Sequence, residues 1–224
     1  MLSAIKGQLI VSCQALRDEP LYGSKIMGRM AYAAMLGGAK AIRANSIVDI
    51  REIKKSVQLP VIGIIKADYP SSDVIITPTE KEIDLLYEEG VDMIALDATN
   101  RIRPNGQTIN EFFPSIRRRY PNQLFMADCS TFEEGLMATE LGFDCIATTL
   151  SGYTNATKGK TLPDISLVKH LAKKLSIPIV AEGGIQTPKQ LKQLFEVGAY
   201  SAVVGSAITR PLEITKRFVN EIAE

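Results

Sequence analysis

The sequence predicts a (β/α)₈ TIM barrel built as a single domain, and three observations predict it. The chain has 224 residues, inside the range of one such barrel. Eight short β-rich apolar runs alternate with longer amphipathic segments, the pattern of βα units around a parallel sheet. No G-x-G-x-x-G follows the first run, so a closed barrel is favoured over an open doubly wound sheet.

In order, the first three runs are 8–12 (QLIVS), 41–44 (AIRA) and 61–65 (VIGII). A helix is expected at 80–89, with Ile83, Leu86 and Tyr87 on one face, Thr79 as N-cap and Gly90 as stop. Runs 93–96 (MIAL) and 124–127 (LFMA) follow, then a helix at 133–141 ended by Gly142. Run 145–148 (CIAT) leads to a helix at 164–175, closed off by Ile177-Pro178. Run 179–181 (IVA), a helix at 188–197 stopped by Gly198, and run 202–204 (AVV) complete the chain. Continuous apolarity within each run means that both faces of the strand are covered.

Composition narrows the partners. Lys and Arg number 26 against 25 Asp and Glu, a formal charge of +1, which leaves no electrostatic footprint for nucleic acid or an anionic membrane. Hydrophobic residues are 46% and charged residues 23%, ordinary for a globular protein, and no apolar run approaches the ~20 residues of a membrane span. The opening MLSAIKG lacks the apolar core of a secretory signal, so a cytoplasmic location is expected. Cys13, Cys129 and Cys145 are too widely spaced for a disulfide framework or a metal pattern and are expected as free thiols.

In a barrel the C-terminal ends of all strands share one mouth, so the residues that follow each run face the substrate. They are Cys13 and Gln14, Asn45, Lys66, Asp97, Asp128, Thr149 and Ser151, Glu182, and Gly205 with Ser206, while Arg43 sits inside the second run. Any one of these has the bland alternative of a polar strand end, and the set is harder to dismiss. Lys66 emerges from a solid apolar run, whose low dielectric disfavours the ammonium and makes the amine a usable base; the alternative is a lysine that only reaches solvent. Gly183-Gly184 and Gly205-Ser206 match the phosphate cradle that such barrels build after strands seven and eight, with a short helix near Ala207. Arg210 offers a charged fork to the same phosphate, or is a surface residue before Pro211. The single histidine, His170, lies mid-helix, so a metal site at the mouth would need carboxylates alone; no metal and no cofactor are expected. The same point separates the chain from ribulose-phosphate 3-epimerases, whose ribulose-phosphate-binding type of barrel and phosphate loops it resembles.

The segments VSCQA (11–15), IRAN (42–45), GIIK (63–66), LDAT (96–99), DCST (128–131), TTLSGYT (148–154), AEGGI (181–185) and VGSAITRP (204–211) carry a closer resemblance along nearly the whole chain. It is identified by them as similar to the N-acetylmannosamine-6-phosphate 2-epimerase family of sialic-acid-degrading bacteria. The resemblance implies interconversion of N-acetylmannosamine 6-phosphate and N-acetylglucosamine 6-phosphate, with Lys66 as catalytic lysine and Glu182 assisting.

For that chemistry Lys66 is the expected proton acceptor at C2. Glu182 either opens the sugar ring or acts as the opposing acid. Arg43 is expected to hold Glu182 ionised and to steady the oxyanion. Gln14, Asp128, Ser151, Tyr153 and Thr154 are expected to bind sugar hydroxyls and the acetamide, although a loop-capping role fits Asp128 nearly as well. Two other readings stay open: a lyase or synthase in which Lys66 forms a Schiff base, and a non-catalytic sugar-phosphate sensor. The apolar face of Ile214, Phe218 and Ile222, with the resemblance, points to a homodimer.

Overall fold

The structure is a computed structural model that describes residues 1–223. Eight strands pair in sequence order, and β1 closes on β8, all in parallel register. The elements are α1 (Leu2–Ile5), β1 (Leu9–Cys13), α2 (Ser24–Leu36), β2 (Ala41–Asn45), α3 (Ile47–Ser56), β3 (Val61–Ile64), α4 (Glu80–Glu88), β4 (Met93–Asp97) and α5 (Ile109–Arg119). They continue with β5 (Leu124–Asp128), α6 (Phe132–Glu140), β6 (Cys145–Ala147), α7 (Ile165–Lys174), β7 (Ile179–Ala181), α8 (Pro188–Glu196), β8 (Ser201–Val204), α9 (Ser206–Thr209) and α10 (Pro211–Ile222). Every expected run is a strand, within a residue or so at each end. Asn45, Asp97 and Asp128, expected just beyond their strands, are instead the last strand residues.

Side chains alternate between two apolar clusters, as the period of a strand requires. Ile10, Ala41, Ile62, Ile64, Met93, Ala95, Met126, Cys145, Ala147, Val180 and Val203 fill the barrel interior, and Ile5 of α1 joins them. Val11, Ile42, Val61, Ile94, Leu96, Phe125 and Ile146 face the helices. Counting on in twos from the inner set places residues 12 and 14, 43, 66, 128, 149, 182 and 205 over the same interior. Cys13 has the opposite parity. It is a correction to the expected mouth residues, because it is fully buried in the shell between sheet and helices.

Helix starts follow a repeated local device. Thr79, Thr108, Thr131 and Thr187 each form a capping box with the residue three further on: Glu82, Glu111, Glu134 and Gln190. Where β3 packs against α4 and the connection after it the chain has glycine: a Cβ on Gly63 would lie 2.8 Å from Val91 Cγ1 and 2.9 Å from Leu86 Cδ2. Such packing holds the strand ends, and thus the mouth residues, in fixed places.

Candidate active site

A cavity of about 290 Å³ opens at the C-terminal mouth of the barrel. Its polar lining comes from Ser12, Gln14, Lys66, Thr149 and Glu182, and its glycine wall from Gly183, Gly184 and Gly205 with Ser206. Tyr153 and Arg210 stand at the lining as well. Leu150, Ile185, Val203 and Thr209, which lie in strand runs or segments quoted above, also line it, as do Ile75 and Ile76, which were not singled out from sequence.

Arg43 lies beneath this lining, 1% exposed. Its Nη1 and Nη2 donate to Asp128 Oδ1 and Oδ2 at 3.0 and 2.6 Å, and Nη1 also donates to Glu182 Oε2 at 3.0 Å. Burial opposes its charge, but Asp128 and Glu182 together hold its pKa above the ordinary value. Asp128 is fully buried, accepts a further bond from Thr149 Oγ1 at 2.7 Å, and does not reach the cavity. Expected as a substrate binder, it instead anchors Arg43.

Glu182 is positioned by a reciprocal pair of bonds, its N–H donating to Thr148 Oγ1 and its C=O accepting from the same hydroxyl. Burial pushes its carboxyl up to about 7; the charge of Asp128 acts in the same direction, and Arg43 and Lys66 oppose. This departs from the expectation that Arg43 keeps Glu182 ionised. The guanidinium gives Asp128 two bonds and Glu182 one, so the attraction does not cancel the cost of burying a second carboxylate. Lys66 moves the opposite way: burial first, then the positive charges of Arg43 and Arg210, lower its pKa, while Glu182 and Glu19 resist. Burial thus shifts both of these cavity-lining groups toward their neutral forms.

Gln14 is almost fully buried; its Nε2 donates to Ser12 Oγ at 2.8 Å, and its Oε1 has no partner. At the glycine wall, Gly183 and Gly184 take φ of +104° and +68°. A Cβ on Gly184 would sit 2.4 Å from Leu162 Cβ, so only glycine fits there. Arg210 stands at the lining and its guanidinium pairs with Glu19 at 2.8 Å.

Other expected residues lie outside the cavity lining. Ser151 Oγ donates to Asp164 Oδ2 at 2.9 Å, and Thr154 Oγ1 bonds Ser130 and Thr157, so both tie the β6–α7 loop down. Asp97 bonds Thr99 and Arg101 of its own loop. Asn45 turns its side-chain oxygen to the Lys66 N–H at 2.8 Å. His170 is exposed on α7, stacked on Phe132. Burial pushes all three cysteine thiols up. Among the described residues, no group of three or more His, Cys, Asp or Glu side chains is placed to hold a metal ion, and no helix is long and apolar enough to cross a membrane.

A family model described as "Putative N-acetylmannosamine-6-phosphate epimerase" matches residues 27–224. A Clostridium perfringens (strain SM101) protein named "Putative N-acetylmannosamine-6-phosphate 2-epimerase" is 56% identical over 220 residues, covering 98% of this chain and 99% of that protein. A Clostridioides difficile (strain 630) protein of the same name is 55% identical over 222 residues, covering 99% of each. Among solved structures, the N-acetylmannosamine-6-phosphate 2-epimerase from Clostridium perfringens superposes with a TM-score of 0.94 at 54% identity, over 99% of this chain and 96% of that one. Thiamine phosphate pyrophosphorylase from Pyrococcus furiosus, at 15% identity and TM-score 0.61, covers 100% of this chain and 99% of its own, and shares the fold alone.

Proposed function

The chain belongs to the N-acetylmannosamine-6-phosphate epimerase family, and from that premise we propose that it interconverts N-acetylmannosamine 6-phosphate and N-acetylglucosamine 6-phosphate by moving protons at C2. One observation carries the reading: Lys66 and Glu182 face the same cavity, beside a glycine wall, and burial drives their pKa values toward each other.

In the ring-opened sugar, neutral Lys66 takes the C2 proton and the electron pair moves onto the C1 carbonyl oxygen as an enolate. Protonated Glu182 then delivers a proton to the other face of C2, leaving a Lys66 ammonium and a Glu182 carboxylate. That product form of the pair is the form the reverse reaction starts from. A lysine whose pKa is lowered and a carboxyl whose pKa is raised exchange a proton at smaller cost, which suits a reversible reaction in both directions. Arg43 acts from beneath the lining, a fixed positive charge that favours the developing enolate. Gln14 binds the sugar or its acetamide. Gly183, Gly184, Gly205, Ser206 and Arg210 hold the 6-phosphate, backbone N–H groups approaching where no Cβ intervenes. The two sugars are at one oxidation level, so the reaction needs no redox cofactor, and the proton transfers above call for no metal.

The same reading makes the whole chain one catalytic domain acting in the cytoplasm. It also makes it a homodimer through α10, where Leu212, Phe218, Val219 and Ile222 are exposed. NMR of the purified protein with N-acetylmannosamine 6-phosphate in D₂O tests the chemistry: N-acetylglucosamine 6-phosphate should accumulate with deuterium at C2. Failure to form that epimer would overturn the activity. Deuterium-free product would overturn proton delivery by solvent-exchanged Glu182.

A further inference from the structure

Lys66 lies beyond the last residue of β3, where the parallel ladder has run out: the pairing with β2 ends at Asn45↔Ile64 and that with β4 at Gly63↔Ile94. A strand end of this kind ordinarily leaves its N–H groups to solvent. Here three consecutive ones are taken up. Ile65 N–H donates to Thr77 Oγ1 at 3.3 Å, Lys66 N–H to Asn45 Oδ1 at 2.8 Å, and Ala67 N–H to the Ile75 C=O at 3.0 Å. Thr77 N–H answers with a 2.8 Å bond to the Ile65 C=O, and Lys66 and Ile76 form an antiparallel bridge.

Asn45 supplies the rung that its own backbone cannot. The next residue, Ser46, has φ of +72° and turns the chain away into α3, so the Asn45 amide oxygen stands where another strand carbonyl would have been. Thr77 is held as firmly. It is fully buried and left-handed at φ +49° without being glycine, a conformation that persists only where the surroundings impose it. Its hydroxyl donates to the Ala95 C=O at 2.7 Å. Behind it Arg103, 2% exposed, donates to the carbonyls of Thr77, Pro78 and Asp97 at 2.7, 2.9 and 2.7 Å. A buried guanidinium given over to three carbonyls fixes the 75–78 return segment against β4, and that segment in turn fixes Lys66.

We propose that Asn45 and Thr77 are positioning residues that lock the Lys66 backbone at the end of β3, so that its flexible side chain enters the cavity from one fixed origin. This rests on the reading of Lys66 as the C2 base. Misplacing a reacting group by about 1 Å costs on the order of 100-fold in rate, so the effect belongs in kcat. Asn45→Ala should lower kcat about 10- to 100-fold while KM stays within about threefold. Asn45→Asp keeps the accepting oxygen and adds a negative charge near Lys66. It should recover most of the lost kcat, with the pH profile moved to higher pH because the charge favours the ammonium. Thr77→Ser, which keeps the hydroxyl, should match the wild type, and Thr77→Val should not. Wild-type kcat in Asn45→Ala would overturn the proposal. So would an Asn45→Asp enzyme as slow as Asn45→Ala with an unmoved profile, or a kcat loss in Asn45→Ala that disappears once turnover is divided by the folded fraction. Should Asn45→Ala fail to fold, the Asn45→Asp profile and the Thr77 pair decide. Lys66→Met, run alongside, separates the two levels: its turnover would remove Lys66 as base, whereas an inactive Lys66→Met beside a fully active Asn45→Ala overturns only the positioning.

Discussion

Arg43 grips Asp128 with both terminal nitrogens, at 3.0 and 2.6 Å, and one of those nitrogens is all that reaches Glu182. This unequal division leaves burial to raise the proton affinity of the carboxyl that lines the cavity. Were the fork turned to Glu182, its carboxyl would be held ionised; as built, burial dominates and it is raised.

Asp128→Asn should move the acid limb of the pH–rate profile to lower pH. The active form of the Lys66–Glu182 pair carries one proton, so the limb marks where a second proton binds, near the raised Glu182 value of about 7. Removing the Asp128 charge relieves repulsion of the Glu182 carboxylate and leaves Arg43 to Glu182 alone. Both effects favour the ionised carboxyl and lower its pKa. The kcat should fall as well, because the protonated acid becomes scarcer. An acid limb that stays in place or moves upward would contradict this electrostatic account, and kcat across pH 5 to 9 measures it.

Gln14→Leu should raise KM for the sugar phosphate about tenfold, in line with ~1–3 kcal/mol for a hydrogen bond lost to a buried group. Gln14 Oε1 is buried at the cavity without a protein partner, an acceptor that a ligand N–H or O–H can satisfy. The variant removes that unsatisfied acceptor, so its melting temperature without substrate should be unchanged or higher. A KM equal to the wild type would show that the oxygen faces no ligand group.

Much of this was legible in the sequence, and what was hidden has physical reasons. The runs such as 61–65 announce strands through continuous apolarity, and Thr79 as N-cap with Gly90 as stop announces the helix between them, because both are local effects. The phase of each strand is not local. In a strand apolar on both faces nothing marks which residue looks inward, so Cys13 reads as a mouth residue although its neighbours Ser12 and Gln14 take that position. Ile75 and Ile76 line the cavity only because the segment after β3 folds back, and the left-handed Thr77 that permits it carries no glycine to signal it. Ser151 and Thr154 sit in a polar loop whose internal bonds to Asp164, Ser130 and Thr157 depend on tertiary closure. Lys66 and Glu182, by contrast, end apolar runs of matching parity, and burial at that spot is what perturbs them.

Gly184→Ala should weaken phosphate recognition more than it weakens the fold. Its φ of +68° and the 2.4 Å approach to Leu162 Cβ force the loop to shift. A strained alanine at positive φ costs on the order of 1 kcal/mol or more, a few degrees in melting temperature. The displaced N–H groups should cost at least tenfold in kcat/KM for the 6-phosphate, while any activity on the unphosphorylated sugar should barely change. Equal loss on both sugars would place the phosphate elsewhere.

Phe218→Glu should convert a dimer to monomers. Phe218 is 73% exposed and Ile222 85% exposed on α10, which buries no residue of its own in the single chain. Light scattering at micromolar concentration reads the mass directly. A wild-type protein that is already monomeric would remove α10 as the dimer face.

Lys66→Met should abolish turnover while leaving sugar-phosphate binding within a few-fold of the wild type. The methionine keeps the apolar stem and loses only the amine, so phosphate contacts at the glycine wall persist; calorimetric titration checks that arm. The lowered pKa of Lys66 would serve a Schiff base as well as a general base, since both need the neutral amine. Borohydride separates them. Proton abstraction leaves no carbon–nitrogen bond to reduce, so wild-type enzyme treated with substrate and borohydride should keep its mass and activity. A covalent adduct on Lys66 would assign it to imine chemistry instead, and the exchange of C2 hydrogen with solvent would then need a different base.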